Sequence, residues 1–585
     1  MSRRETTTQY VAQPGSNNVA WKGIQDLWQG KLLCDVSLVA GGRLFEAHRC
    51  YLASCSSYFN SMFTGAFREG NEKEVKLQGV SGKGLEDVLA YMYTGKIELN
   101  QDNIKDILDV SSHLEVTDIQ KFCEDYLKNY LSAKTCVQFY NLAEMYSLQD
   151  TKAAINSYLR DNFSNVAQTE EFSSLPFEVL CELLESDSLN TESELVVFRS
   201  AIYWLSHDPE RLCFAEKVLQ LVRYGLMTSQ EMKEVYDPCG IMMQHEACRK
   251  LLKRALDYNM NEYEQPLFPA TLSSPRNYVD SLIVYGGSPL QSESLLASQM
   301  HPTITKKFSY FGKLRDVRIG AQVAVINNFL FVVGGETVAS TTGENAANSA
   351  FRYNPRDGKW LQLSPMATAR TWFALIASSG YLYAVCGFNK DSTELSSVEK
   401  YDVRGNSWSQ VRNLIPGVRF HAGCEYREKV FITGGLPFIR LMRSYDPETN
   451  DWKTHADMNI GRAGHNMVSA GDKLFVFGGG YNTSASLVAA LQAEAYNPDT
   501  DQWTVLSSSL FGHKLAGCVI HSSGVYIIGG YSTLTKRSLD AIQHYNIKTN
   551  EWSVLETALP VPLHGPAAAY LKLPSHVYSS NGNTP

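Results

Sequence analysis

A glycine doublet that keeps returning constrains this chain more than any other feature. Gly-Gly, or a near match, closes a short apolar run six times, after residues 282–285, 331–333, 383–385, 431–433, 475–477 and 526–528. In the third case it reads Cys386-Gly387. A repeat of about fifty residues marks supersecondary units that bury their faces only against neighbours. This half of the chain is therefore predicted to be an all-β recognition surface built by repetition.

A second landmark sets the register. Tyr353, Tyr401, Tyr445, Tyr496 and Tyr545 are each followed seven residues later by a tryptophan: Trp360, Trp408, Trp452, Trp503 and Trp552. Turn chemistry lies between, as in Asn354-Pro355 and Asp446-Pro447, so each pair reads as two antiparallel strands about a tight turn. A basic residue opens each unit: Arg318, Arg370, Arg419, Arg462 and His513. From there to the first doublet residue runs fifteen or sixteen residues, enough for two more strands. Four strands per repeat is the size of a propeller blade. The first unit is one strand short, with ten residues from Arg276 to Gly286 and Phe308 in place of tryptophan. After Trp552, the stretch Leu563-His564-Gly565-Pro566 opens a strand with no doublet behind it. Completing the first blade with this C-terminal strand gives six blades and leaves no free sheet edge.

These landmarks closely resemble the Kelch repeat, with Cys386-Gly387 and the degenerate first blade as departures. The rest of the chain is built otherwise. Segments 35–39 and 43–47 read as a hairpin about Gly41-Gly42, followed by helices near 49–63, 84–93, 103–113 and 116–130. The string Cys34-Asp35-Val36, Phe45-Glu46-Ala47-His48-Arg49, Met62-Phe63-Thr64-Gly65 and Tyr91-Met92-Tyr93-Thr94-Gly95 is similar to the BTB domain. The following region looks all-helical. Thr191 and Glu194 read as a capping box ahead of the apolar face Leu195, Phe198, Ile202 and Leu205. Ser186-Asp187-Ser188-Leu189 and Val222-Arg223-Tyr224-Gly225-Leu226-Met227 resemble the BACK domain, with Gly225 where that family usually has proline.

The expected organisation is thus an α/β BTB dimerisation domain (19–130), an all-α BACK domain (131–260), a Pro/Ser-containing linker (261–281) and an all-β six-bladed Kelch propeller (282–573). The resemblance implies a homodimer through the BTB domain, with Ile24, Leu27, Trp28, Asp35 and Arg49 at the interface. It also implies cullin-3 binding through Tyr58, Phe63, Phe67 and Glu69. In Phe67-Arg68-Glu69 an aromatic offers apolar area to a partner helix and a carboxylate fixes its orientation. The target protein is expected on one propeller face, at Arg318, Glu336, Arg370, Trp372, Phe388, Arg419, Phe420, His421, Arg462, Lys514 and Tyr531. Basic and aromatic residues there suit an acidic peptide with an apolar anchor.

Other classes fit less well. A net charge of −8 without a clustered basic face argues against nucleic acid. No apolar run is long enough to span a bilayer, and the polar start Met1-Ser2-Arg3-Arg4-Glu5 is unlike a secretory signal. The twelve cysteines are scattered without Cys-x-x-Cys, as for reduced thiols. A cytoplasmic protein is expected, with a nuclear pool compatible. The histidines His421, His455, His465, His513, His521, His544 and His564 fall at repeat positions, without the Tyr/Cys constellation of Kelch-type copper oxidases, so neither catalysis nor a cofactor is expected. The adaptor of a cullin-3 ubiquitin ligase is the reading, against a non-catalytic actin or cytoskeletal scaffold as the alternative.

Overall fold

In a computed structural model the chain is described over residues 7–11, 19–65, 70, 72–236, 240, 246–288, 294–300, 307–313, 318–336, 345–389, 393–482 and 487–574. It divides into two compact units, residues 1–192 with 196–214 and residues 193–195 with 215–585.

The first unit is built on the hairpin Val36–Ala40 and Arg43–Ala47, turned at Gly41 and Gly42, with Glu74–Lys76 added in parallel. Alternation puts Val36, Leu38 and Ala40 on its buried face. Helices Gly82–Thr94, Ile104–His113 and Thr117–Asn129 lie where their periodicity places them. The helix expected over 49–63 is instead two, Arg49–Cys55 and Ser57–Thr64. Ser56 has extended backbone, and its hydroxyl accepts the Phe59 N–H at 3.1 Å, a cap that ends one helix and starts the next. Strand Thr8–Val11 pairs antiparallel with Lys96–Leu99.

In the second unit Glu194 holds buried arginine and backbone groups. Helix Glu194–Ser206 begins at this residue, and the buried carboxylate accepts the Arg276 guanidinium at 2.5 Å and the Arg223 N–H at 3.0 Å. Arg276 is therefore not the opening residue of a first blade. The stretch read as a linker is packed structure: a 3-10 turn Glu262–Leu267, a short helix Ala270–Ser273 and the start of strand Tyr278–Tyr285. Arg352 donates to the Glu262 carbonyl, Arg356 to the Ser273 hydroxyl and Asn327 to the Pro266 carbonyl. Prolines signal irregular backbone, and irregular backbone is not the same as freedom. Gly225 is needed for space, because a Cβ there would meet Ser273 at 2.9 Å and the Leu272 carbonyl at 3.0 Å.

Six four-stranded antiparallel sheets follow among the described residues. Five run in chain order, led by Gln322–Ile326, Ala374–Ser378, Ala422–Tyr426, Asn466–Ala470 and Gly517–His521. The sixth joins the two ends of this region: Ala567–Pro574 pairs with Tyr278–Tyr285, then Ser294–Gln299 and Ser309–Lys313. Leading strands touch the next in turn, and Ala567–Pro574 touches both Gly517–His521 and Gln322–Ile326. The doublet glycines leave room for a neighbour's ring. A Cβ on Gly334 would meet Phe373 at 2.7 Å, and one on Gly478 would meet His513 at 2.3 Å.

The Tyr/Trp landmark has a third member that the sequence reading missed. Tyr401, Tyr445 and Tyr545 donate to Asn406, Asn450 and Asn550 five residues on, at 2.8–2.9 Å, and Tyr496 donates to Asp501 at 2.7 Å. All four acceptors have positive φ, which Asn and Asp tolerate best after glycine. Each also reaches the preceding blade. Asn450 accepts the Arg412 N–H at 3.0 Å while the Trp452 indole donates to the Arg412 carbonyl at 2.9 Å, so one peptide position is held from both sides. Replacing Asn450 with Ala is expected to cost about 1–3 kcal/mol. Asn450→Gly should recover only the backbone part, measured as the denaturant midpoint of the propeller transition.

Candidate functional site

The loops entering the leading strands meet the loops after the doublets on one face. Single antiparallel bridges join Ile319 to Glu336, Thr371 to Phe388, Arg419 to Leu436, Ala463 to Gly480, Lys514 to Tyr531 and His564 to Ser288. The next residue of each entering loop has a left-handed backbone: Gly320, Trp372, Phe420, Gly464, Leu515 and Gly565, with φ between +50° and +69°. They form a collar. Trp372 donates its N–H to Gly320, Phe420 to Trp372, Gly464 to Phe420, Leu515 to Gly464 and Gly565 to Leu515, at 2.7–3.2 Å. A bulky residue in this conformation costs roughly 1–2 kcal/mol, and of the three that accept it Trp372 and Leu515 fill gaps the glycines leave. The Trp372 indole lies where a Cβ on Gly320 or Gly565 would be, at 2.9 and 2.7 Å. Below the collar is a cavity of about 190 Å³, lined in part by His421, His465 and Asn466.

The basic residues that open the repeats divide into two positions. Arg318, Arg370 and Arg462 stand two residues before the collar, buried, and reach the carbonyl of the first doublet residue: Gly334 at 3.1 Å, Cys386 at 2.8 Å and Gly478 at 3.2 Å. Arg370 pairs with Glu399 at 2.6 Å and Arg462 with Glu494 at 2.7 Å. The carboxylates in turn accept two backbone N–H groups each, from Ala367 and Thr368 and from Asn459 and Ile460. In Arg318 the Phe351 ring, 5.5 Å away, stands where the others have a carboxylate. These arginines brace blades and present no exposed surface. Arg419 is not their equivalent. Val418 fills that place, buried, and Arg419 stands one residue later, beside Lys514 and His564 in the bridge register. The one spacing of fifteen rather than sixteen was the signal.

Glu336, Trp372, Phe388 and His421 are buried as well. Burial pushes the Glu336 carboxyl up to about 7, opposed only by the Thr371 hydroxyl and the Trp372 indole N–H. Neither stands at normal hydrogen-bonding geometry. Burial likewise lowers His421 to about 3, His513 to about 4 and His465 well below its usual range, so these rings are neutral packing elements. Arg419, Phe420, Lys514 and Tyr531 remain half-buried at the mouth. Arg419 lies over Phe388 at 5.0 Å and Phe420 at 5.8 Å and pairs with Glu394 at 3.3 Å. Exposed apolar residues on the same two sets of loops went unread: Ile415, Phe438 and Leu534. Loops have no periodicity to flag them.

In the BTB region, Trp28 stacks on Tyr93 at 4.5 Å and donates its indole N–H to Glu46, while Ile24 and Leu27 are half-buried. Asp35 is exposed in the single chain, and Arg49 half-buried. The carboxylate of Asp35 accepts the Arg49 N–H at 2.8 Å, at the start of helix Arg49–Cys55, where a negative charge is favoured. The Arg49 side chain lies 5.0 Å from the Phe63 ring and donates to the Gly70 and Glu72 carbonyls. Tyr58 is half-buried against His113, and Phe63 stacks on buried Phe59. Phe67 and Glu69 lie outside the described residues.

Comparison with known proteins agrees with this arrangement. Family models match as BTB/POZ domain over 24–131, BTB And C-terminal Kelch over 136–237, Kelch motif over 318–367 and 370–415, and Attractin/LZTR1 beta-propeller over 430–578. Kelch-like protein 26 of Danio rerio is 33% identical over 92% of this chain and 90% of its own length. The chain belongs to the Kelch-like, BTB–BACK–Kelch family. Kelch-like protein 36 of Bos taurus is 31% identical over 93% of the chain and 90% of its own length, and Kelch-like protein 15 of Mus musculus 29% over 95% and 96%. Among the described residues of this Kelch-like chain, no helix is long and apolar enough to cross a membrane, and no group of three metal-ligating side chains occurs.

Proposed function

We propose that this Kelch-like chain is the substrate-recognition adaptor of a cullin-3 ubiquitin ligase. The observation that carries the reading is the order of three domains in one chain, BTB, BACK and Kelch, matched along more than nine tenths of its length to Kelch-like relatives. The BTB domain dimerises and binds cullin-3 through the surface of Tyr58 and Phe63 and the following Phe67-Arg68-Glu69. The propeller mouth holds the target. The adaptor performs no covalent step; it raises the effective concentration of target lysines, and dimerisation adds avidity.

Target recognition falls to the mouth residues that reach solvent, Arg419, Phe420, Lys514 and Tyr531, with Ile415, Phe438 and Leu534 on neighbouring loops. Loops on a rigid scaffold are where specificity is placed, and charge with aromatic surface suits an acidic segment bearing an apolar anchor. The test is calorimetric titration of the full chain with the N-terminal region of cullin-3. Segments 262–276 pack against blade and helix residues, so the whole chain is titrated and not its N-terminal half. Tight binding that falls at least about tenfold in Phe67→Ala/Glu69→Ala is expected, the loss of roughly 1.4 kcal/mol that a hot-spot residue exceeds. No binding by a folded dimer would leave the cytoskeletal scaffold as the better account.

A further inference from the structure

Lys514 is the unusual cation of the propeller mouth. Its stem leaves the loop that enters strand Gly517–His521 and crosses the neighbouring collar glycine. A Cβ on Gly464 would meet Lys514 Cγ at 2.8 Å and Cε at 3.1 Å. The absence of a side chain at 464 thus makes the bed on which the lysine lies. The ammonium ends 5.8 Å from the Phe420 ring centre, two blades from its own backbone. Arg419 sits 5.8 Å from the same ring. The two cations therefore share one aromatic at the mouth, but they differ in partners. Arg419 has Glu394 at 3.3 Å. Lys514 makes no ion pair or side-chain hydrogen bond among the described residues, and burial lowers its pKa with no carboxylate to oppose the shift. A partly desolvated ammonium held only by a ring quadrupole is a poor arrangement for stability alone, worth about 0.5–2 kcal/mol against the desolvation it incurs.

We infer that Lys514, laid across Gly464 and steadied on Phe420, is the seat for one carboxylate side chain of the bound target segment, with the Phe420 ring taking the apolar neighbour of that acidic residue. This rests on the propeller mouth being the target site. Charge count selects a carboxylate over a phosphate. Among the described residues one uncompensated positive charge meets one negative charge, since Glu394 already answers Arg419. A doubly charged phosphate would be left half unpaired in a partly buried setting. Lys514 can aim one of its three N–H donors at a carboxylate oxygen and leave the others to water.

The experiment uses the purified full chain on arrays of degenerate peptides whose central residue is fixed as Glu, Gln, phosphoserine or Leu. Wild type, Lys514→Met, Lys514→Arg and Phe420→Ala are compared, with thermal melting to establish that each is folded. Glu is expected to be captured about tenfold better than Gln, the size of one charge-assisted hydrogen bond. That preference should vanish in Lys514→Met and survive in Lys514→Arg. Equal capture of Glu and Gln, or a Glu preference that persists in Lys514→Met, overturns the seat. Phosphoserine captured better than Glu overturns the assignment to a carboxylate. If capture does not depend on Phe420 in any arm, the mouth is not the target site, and the reading beneath the seat fails with it. Cullin-3 titration, which does not involve the mouth, separates that failure from failure of the adaptor role.

Discussion

Arg462→Ala should destabilise the propeller by about 3–5 kcal/mol, the usual cost of removing one partner of a buried ion pair. The guanidinium and the Glu494 carboxylate are both fully buried, 2.7 Å apart. Loss of Arg462 strands the carboxylate and leaves the Gly478 and Gln492 carbonyls without that donor. A double variant, Arg462→Met with Glu494→Leu, removes both charges and is expected to regain most of the loss, because paired burial is near break-even against apolar packing. The Asn459 and Ile460 N–H groups, which Glu494 also accepts, set how much stays lost. Denaturant unfolding of the full chain, followed by propeller tryptophan fluorescence, measures this. A single variant within about 1 kcal/mol of wild type would mean that the pair is open to water.

The second large effect is a pH dependence set by Glu336. Burial raises its carboxyl from the ordinary 4.5 to about 7. Between those values the folded state binds a proton that the unfolded state has released. This group's contribution therefore falls as pH rises, and is lowest above 7. The difference corresponds to about 3 kcal/mol. Glu336→Gln has no proton to lose, so the stability of the variant relative to wild type should improve by about that amount between pH 4.5 and pH 8. The fixed cost of burying an amide cancels in that difference. Parallel stability–pH curves for the two proteins would show that the carboxyl titrates as if in water.

Much of the architecture was legible because repetition multiplies weak signals. One Gly-Gly doublet is ambiguous, whereas six with five Tyr/Trp pairs set strand number, blade size and the pairing of Ala567–Pro574 with Tyr278–Tyr285. The same repetition misled at the mouth. A basic residue before each leading strand looked like one role, but backbone position divides Arg370 and Arg462 from Arg419 and Lys514. Buried braces and mouth cations use the same side-chain types, and only their distance from the collar tells them apart. The partners Glu399 and Glu494 lie about thirty residues downstream, on the third strand of each blade. Such a separation shows in a sequence only after the blade geometry is known. The collar itself left almost no trace, since Trp372, Phe420 and Leu515 hold a conformation that composition assigns to glycine.

The adaptor account joins two ends of one chain, and the decisive measurement reads both together. Proteins that co-purify from cells with the wild-type chain but not with Lys514→Met/Phe420→Ala are the mouth-dependent partners. Their ubiquitin load is then compared between cells carrying wild type and cells carrying Phe67→Ala/Glu69→Ala. The account predicts that these partners stay bound to the latter variant while their ubiquitination falls to the level seen without the chain. Unchanged ubiquitination of mouth-dependent partners in that variant would contradict it.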